Sequence, residues 1–515
     1  MDSSNNNNEE DKHEAQSILE HEKNALIFDN ICHNQQESCF TKLSENLNLD
    51  GFKNFIYLIV LISCGRLMFE NYNSYGFSAN PFRWVEYVVM NPLSRPTFFL
   101  FLLIHFFIMG SLILENCYVS FLYGNQRANR LANGTTKFET NESGEKLFRY
   151  IYTTWLGSMM SLPFIINQLF QCNPYLLSFV CLIYSATFLK LYSYHQVNSW
   201  WRTNKMYGRT REQIPNLERV EAKVANYIEN IIKPNYTKPK KRKFSLNRVD
   251  DNEGPLLYYP QNLSIQNIYY FFYAPTLCYQ LNYPRTKSIN FYFVARCALE
   301  FLFLIELETV LFEQWIIVPL SQNHFILSEM TFSEFLLRWS KMSLGTISIW
   351  LIGFYSLFQS LCNLTAEILQ FADRDFYGDW WNAKTIGEFW RLWNLPVHRW
   401  CVRHIFKPLL IEKGYSRITV AFIIFFISGI FHEYLFAIPM NILTFHFVIG
   451  MTAQMVVELA TSHIHKTNVR LANSIVWLSL IFGQSLLILL YYNDLIIKLR
   501  REAALDVIDI KKRLL

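Results

Sequence analysis

The sequence predicts an all-α polytopic membrane protein with about nine transmembrane helices, on three observations. Residues 97–114, 150–189, 342–366, 434–457 and 471–493 carry no Asp, Glu, Lys or Arg, and an uncharged apolar run of about 18 residues spans a ~30 Å hydrocarbon core as a helix. Hydrophobic residues make up 51% of the 515 positions, and they gather in those runs rather than spreading over the three soluble domains that length alone would suggest. Basic residues concentrate in two segments between the runs, the asymmetry that orients membrane proteins.

The spans follow in order. The first, 53–70, is the weakest, because Arg66 and Glu70 shorten its apolar core. The second is 97–117. The third and fourth, 150–170 and 174–193, come from one uncharged stretch of 40 residues, too long for a single crossing and split at the turn signal Gln171-Cys172-Asn173-Pro174. The fifth, 290–319, carries Arg296, Glu300, Glu306, Glu308 and Glu313. Arg296 and Glu300 have the i,i+4 spacing of a helical ion pair, and interhelical packing is the expectation for the other carboxylates. Spans 342–366, 418–438, 442–460 and 472–494 complete the set.

Segment 194–288 holds 15 Lys and Arg against 7 acids, and 373–417 holds 8, whereas 320–337 holds none. Both basic segments are therefore expected on the cytosolic side, the N-terminus with them, and nine spans put the C-terminus in the lumen. The tail conflicts with this, since 498–515 carries six basic residues; it reads as a surface amphipathic helix or as a span count off by one. The sequons at Asn133 and Asn141 then face the cytosol and are expected to go unused. The basic run Lys238 to Lys243 reads as a solvated topogenic loop, with anionic headgroup binding or retention as the alternatives.

A net charge of +5 over this length gives no reason to expect a nucleic-acid partner. Ten cysteines without a CxxC pair signal neither a disulfide framework nor a zinc site, and no metal is called for. The polar opening MDSSNNNNEEDKHEAQ lacks the apolar core of a cleavable signal, so the first span is expected to direct insertion. Its first ~25 residues read as disordered until a partner orders them.

Ionisable groups inside a bilayer are costly and mark function by default. His432, followed by Glu433, stands in the apolar run FFISGIFHEYLFAIP. It is no metalloprotease signature, because position 436 of a would-be HExxH is Phe436. A neutral imidazole in a water-poor interior suits general-base work near neutral pH; the plainer reading is a packing histidine bonded to a neighbouring span. In 376–408, Trp380, Trp381, Trp390, Trp393 and Trp400 alternate with Arg391, Arg399, Arg403 and Lys407. That composition describes a helix lying in the membrane interface, either a simple anchor or a surface for an anionic, partly apolar ligand such as an acyl-CoA.

The string FYGDWWN at 376–382, followed 50 residues later by the HEY histidine, resembles the membrane-bound O-acyltransferase (MBOAT) superfamily in its sterol and diacylglycerol acyltransferase branch. APTLCYQLNYPR at 274–285, AEILQFADRDFY at 366–377, WNLPVHRW at 393–400, MTAQ at 451–454 and WLSLIFGQ at 477–484 resemble the diacylglycerol arm of that branch, and the likeness runs from about residue 50 to 494. The resemblance implies the MBOAT fold, with the helices enclosing a catalytic tunnel. It implies His432 as catalytic base, paired with Asn394. Phe376, Tyr377, Asp379, Trp380, Trp381 and Asn382 would belong to acyl-CoA binding, with Trp393, His398, Arg403 and Arg417. Glu433, Gln454, Gln484, Ser428 and Met451 would line the tunnel near the acceptor. Two departures stand out: the usual glycine-glutamine-proline reads Gly483-Gln484-Ser485, and Phe406 replaces a common aromatic hydroxyl.

The resemblance further implies fatty acyl-CoA and diacylglycerol as substrates, acyl-CoA being a co-substrate with no separate cofactor. It implies a homodimer or homotetramer in the endoplasmic reticulum membrane, surrounded by membrane lipids. The expected division is a cytosolic segment 1–50, a catalytic membrane domain 51–498 with cytosolic loops 194–288 and 373–417, and a tail 499–515. Sterol, wax or retinol esterification by the same chemistry is the near alternative. A multi-span transporter is the alternative of another class, but no inverted repeat supports it.

Overall fold

The computed structural model describes residues 85–133, 142–206, 257–321 and 326–514, with a few positions between 51 and 76. All of the first expected span but Asn54 and Phe55, the Lys238 to Lys243 run, Asn141 and the first 50 residues lie outside them.

All eight remaining spans are helical. Helix α1 runs Arg95–Asn133, α2 Glu142–Phe170 and α3 Pro174–Met206. The turn between α2 and α3 falls where the sequence signals it, with Gln171 left-handed at φ 48° and Asn173 Oδ1 accepting from Tyr175 N at 3.1 Å. A short helix α4 covers Ile265–Tyr273. Helix α5 covers Phe291–Phe312 and continues through a π-helical turn, Glu313–Ile317, into Val318–Ser321. Helix α6, Phe332–Phe354, opens on a capping box between Thr331 and Glu334 and passes through a π-helical stretch, Tyr355–Leu361, to end at Ile368. A short helix α7 at Ile386–Trp393 follows, then α8 at Leu395–Cys401, which runs on through the π-helical stretches Val402–Phe406 and Pro408–Glu412. Helices α9 (Arg417–Met440), α10 (His446–Ile464) and α11 (Val469–Leu514) close the bundle.

Six of the described helices are long and apolar enough to cross a bilayer, by length and composition. Helices α2 and α5 are not among the six. Four ionisable residues within the 22 of α5 (Arg296, Glu300, Glu306 and Glu308) lower its apolar character. The expected Arg296–Glu300 pair forms at 2.8 Å. Glu308 packs its carboxylate against Gly353 of α6, where a Cβ would meet Oε1 at 3.0 Å, as the interhelical reading anticipates.

Besides a small cluster of Ile316, Leu320, Met342 and Leu489, the core divides in two. One cluster joins α1, α2, α3 and α4. The other joins α6 and α11 to the segment 371–389. Among the described residues the extended backbone makes one isolated antiparallel bridge, Arg285 with Phe371. At the far end of α11, Lys498 Nζ reaches the carbonyl of Asn441 beyond α9 at 3.2 Å, and Arg500 meets Glu329 at 3.2 Å. The start of the tail therefore shares a side of the bundle with the 326–331 connection.

The Trp-rich stretch overturns the interfacial reading. Trp380 and Trp381 are 2% and 1% exposed, and Trp400 is buried too. Trp380 packs edge-on against Trp393 at 5.0 Å, and Trp393 stacks on Trp350 of α6 at 4.0 Å. Composition alone cannot separate rings that face lipid from rings that fill a core. Here the chain breaks into short helices, which lets the rings turn inward.

Candidate active site

Helix α9 carries His432. Ser416 caps its start, accepting from Thr419 N at 3.2 Å, and Asn441 ends it in the left-handed region at φ 53°. His432 bonds its own helix and not a neighbouring span: Nδ1 lies 2.7 Å from the Ser428 carbonyl oxygen. A carbonyl only accepts, so Nδ1 carries the proton and Nε2 keeps its lone pair. The Ser428 hydroxyl is 3.5 Å from the same nitrogen, so Ser428 acts mainly through its backbone. The ring faces Phe447 of α10 at 6.1 Å.

Glu433, expected to line the tunnel, points elsewhere. Its buried carboxylate accepts from Phe445 N at 2.9 Å and Phe447 N at 3.0 Å. It therefore fills the orphan donors at the start of α10 and complements the helix dipole there. Gly429 lets α9 and α10 approach closely, since a Cβ there would lie 2.8 Å from the Cα of Val448 and 3.4 Å from the Cβ of Met451. Met451 is buried in that contact. On the same helix, Gln454 Oε1 is buried without a hydrogen-bond partner among the described residues, an acceptor available to a ligand donor. Gln484 is half-buried on α11. Ser485, where a proline would be usual, instead links α11 to Ser343 of α6 at 2.9 Å and returns a second bond to Phe482 O at 3.0 Å.

Asn394 forms the corner between α7 and α8. Its backbone (φ −140°, ψ 88°) leaves the helix, and its Oδ1 accepts from Val397 N at 3.0 Å as the cap of α8. With the oxygen committed, the Nδ2 amide is left to donate. The corner is anchored to the FYGDWWN segment by Leu395 N to Phe376 O at 3.0 Å and Gly378 N to Leu392 O at 2.8 Å.

The expected acyl-CoA residues divide. Phe376 and Tyr377 are buried, and Tyr377 donates to Gln359 Oε1 at 2.7 Å. Trp381 offers its carbonyl to Asn473 Nδ2 at 3.1 Å and Trp477 Nε1 at 3.3 Å on α11. These three aromatic residues, with Trp380, are buried in the packing of the bundle. Asn382 accepts from Gly51 N and its Nδ2 reaches Asp379 at 3.3 Å; Asp379 is exposed. Arg403 is buried and donates to Tyr279 O at 2.9 Å. His398 is held neutral, its pKa pushed down to about 4 by burial and by the charges of Arg391 and Arg399. Arg417 stands exposed at the start of α9, 15 residues or ~22 Å of helix from His432, within reach only of the far end of a long substrate.

Sequence reasoning missed a polar node beside this site. Ser193 Oγ accepts from Tyr279 N at 2.9 Å and lies 2.8 Å from His404 Nε2; burial and Arg403 push the His404 pKa well below its usual value. Lys190 Nζ donates to the carbonyls of Phe271, Phe272 and Ala274 at 2.9, 2.8 and 2.7 Å, capping the C-terminus of α4. The string APTLCYQLNYPR marked the place without indicating these bonds. Among the described residues no group of three or more His, Cys, Asp or Glu is arranged to hold a metal.

The MBOAT, membrane-bound O-acyltransferase, family model matches residues 175–492. The chain is similar to diacylglycerol O-acyltransferase 1 of Bos taurus, 32% identical over 476 residues that cover 92% of this chain and 87% of that one. The Homo sapiens protein of the same name is 32% identical over 90% of this chain and 84% of its own length. The one from Corylus americana is 40% identical across 46% of this chain and 44% of its own. An intramembrane histidine with one ring nitrogen committed, a corner asparagine and a helical bundle, joined to a match spanning both, make the conclusion plain: the chain belongs to the membrane-bound O-acyltransferase family.

Proposed function

We propose that the protein transfers the acyl group of a fatty acyl-CoA to the free hydroxyl of diacylglycerol, yielding triacylglycerol and CoA. The observation that carries the mechanism is the Ser428 carbonyl at 2.7 Å from His432 Nδ1, which leaves Nε2 as the base. Similarity to proteins named diacylglycerol O-acyltransferase 1 over about nine-tenths of the chain supports the acceptor.

The acceptor oxygen attacks the thioester carbonyl as Nε2 takes its proton. Asn394 Nδ2 donates to the developing oxyanion. The C–S bond breaks, and the imidazolium returns the proton to the CoA thiolate. Atoms balance without a covalent enzyme intermediate and without a separate cofactor. Gln454, with its unpartnered acceptor, would bind a donor of the substrate, and Gln484 and Met451 would line the same tunnel. The acyl-CoA head would meet the exposed polar residues of 373–417, Asp379 and Arg417 among them, with His398 and Arg403 behind. The burial of Phe376, Tyr377, Trp380 and Trp381 supports an indirect part for them, shaping the floor of that site.

The protein would work in the endoplasmic reticulum membrane with a cytosolic N-terminal segment 1–50, a catalytic domain 51–498 and a tail 499–515, as a homodimer or homotetramer. The shared side of the tail and the 326–331 connection supports the lumenal reading of both.

The test is acyl transfer by purified protein in lipid nanodiscs, with labelled oleoyl-CoA and diacylglycerol, cholesterol or a long-chain alcohol. Label in triacylglycerol that is lost in His432→Ala supports the reading. Label in sterol ester alone overturns the acceptor, and undiminished activity in folded His432→Ala overturns the base.

A further inference from the structure

Asp373, Arg374 and Asp375 run as extended chain, so alternate side chains face opposite ways. Arg374 turns to Glu367 at the end of α6. Asp373 and Asp375 turn the other way and meet a single cation, Arg399 of α8, with Nη1 to Asp373 at 3.0 Å and Nη2 to Asp375 at 2.7 Å. Both guanidinium prongs are thus used by the protein, and the Asp373 side chain is 1% exposed. An adjoining face of α8 is pinned by Trp400 Nε1 donating to Leu189 O of α3 at 2.9 Å. Helix α8 runs on through the π-helical stretches Val402–Phe406 and Pro408–Glu412, and Arg399 stands five residues, about one and a half turns, from Asn394, the residue that caps its start. The two ion pairs therefore hold the end of this helical segment that carries Asn394.

We infer that Arg399 is a positioning residue for the reaction, a two-pronged strut from the Asp373 and Asp375 carboxylates that fixes α8 and thereby aims the Asn394 amide at the thioester oxygen. This rests on the reading of Asn394 as the oxyanion donor. A fork-shaped cation suits the task because two separated carboxylates define an orientation, whereas an ammonium defines only a point. Misplacing a catalytic donor by about 1 Å costs on the order of 100-fold in rate.

The experiment measures kcat and KM for acyl-CoA in nanodiscs for wild type, Arg399→Ala, Arg399→Lys, Asn394→Ala and the Asn394→Ala/Arg399→Ala double variant. Arg399→Ala should lower kcat roughly 10- to 100-fold with KM changed by less than about 3-fold, and Arg399→Lys should recover part of that loss. In the Asn394→Ala background, Arg399→Ala should add almost nothing, because the group it aims is gone. Should Arg399→Ala not fold, Asp375→Asn removes one prong and takes its place in the same cycle. A multiplicative loss in the Asn394→Ala background, or a raised KM with kcat intact, overturns the strut and makes Arg399 a general stabiliser or a substrate contact. Wild-type kcat in Asn394→Ala alone overturns the underlying assignment of the donor, and the strut falls with it.

Discussion

Replacing Gly429 by alanine probes the catalytic geometry without touching a functional group. The added Cβ would lie 2.8 Å from the Cα of Val448. That is ~0.6 Å inside ordinary carbon contact, and against main chain no rotamer change relieves it. Helices α9 and α10 must therefore move apart at a point one residue from Ser428, whose carbonyl orients His432, and one from Phe447, whose ring faces it. Overpacking of this kind costs about 1–3 kcal/mol, and the displacement of His432 relative to its surroundings should lower kcat roughly 10- to 100-fold. The assay pairs the initial rate of oleoyl transfer with the midpoint of thermal inactivation. Gly157 of α2 is the control, since its Cβ would meet nothing within 4 Å; Gly157→Ala should leave both quantities near wild type. A Gly429→Ala protein with wild-type rate and midpoint would refute the argument, as would an equal loss in Gly157→Ala.

Further outcomes follow from the same contacts. His432→Ala should lose at least ~100-fold in rate while inserting normally, read by the transfer assay beside membrane extraction and size-exclusion profiles. Ser428→Ala should keep near wild-type activity, because the partner of His432 Nδ1 is a backbone carbonyl; a loss as deep as that of His432→Ala would assign the hydroxyl a role this geometry denies it. Glu433→Gln retains one acceptor of the two it supplies to α10 and discards the charge at the helix start; with hydrogen bonds to charged groups worth ~1.5–3 kcal/mol, the inactivation midpoint should fall, and an unchanged midpoint would contradict the anchoring role. The pH dependence of stability should respond oppositely to two variants. His398 has its folded pKa lowered to about 4 from 6.5, so the unfolded chain binds the extra proton in that window and stability from His398 rises with pH. Burial, opposed by Arg399 and assisted by Asp373, lifts Asp375 from 3.8 to about 6; there the folded chain binds the extra proton and stability falls as pH rises. Relative to wild type, His398→Gln should tilt the midpoint between pH 4.5 and 6 downward with rising pH and Asp375→Asn upward, and parallel curves for all three proteins would refute both assignments.

Hydrophobic pattern by itself determined the class of this protein, because a bilayer admits few solutions: a backbone without water must satisfy its own hydrogen bonds, and a helix does so within a contiguous segment. Hence the helices at the eight described positions, six of them long and apolar enough to cross a bilayer, the α2–α3 turn and the Arg296–Glu300 pair were readable as local properties, and motif strings were enough to single out His432 and Asn394. The tertiary structure decided what depends on who stands opposite. Trp380 and Trp381 read as interfacial by composition, yet they are buried because α6 supplies the Trp350 ring against Trp380 and α11 the Trp477 indole N–H for the Trp381 carbonyl, both from distant parts of the chain. Glu433 reads as a tunnel residue beside the base, yet it anchors the start of α10, since one helical step of about 100° turns neighbouring side chains toward different surroundings. The tautomer of His432 and the amide left to Asn394 rest on contacts within four residues of chain, whereas Arg399 reaches Asp373 and Asp375 across 26 and 24 residues, a pairing fixed only when those segments are packed together.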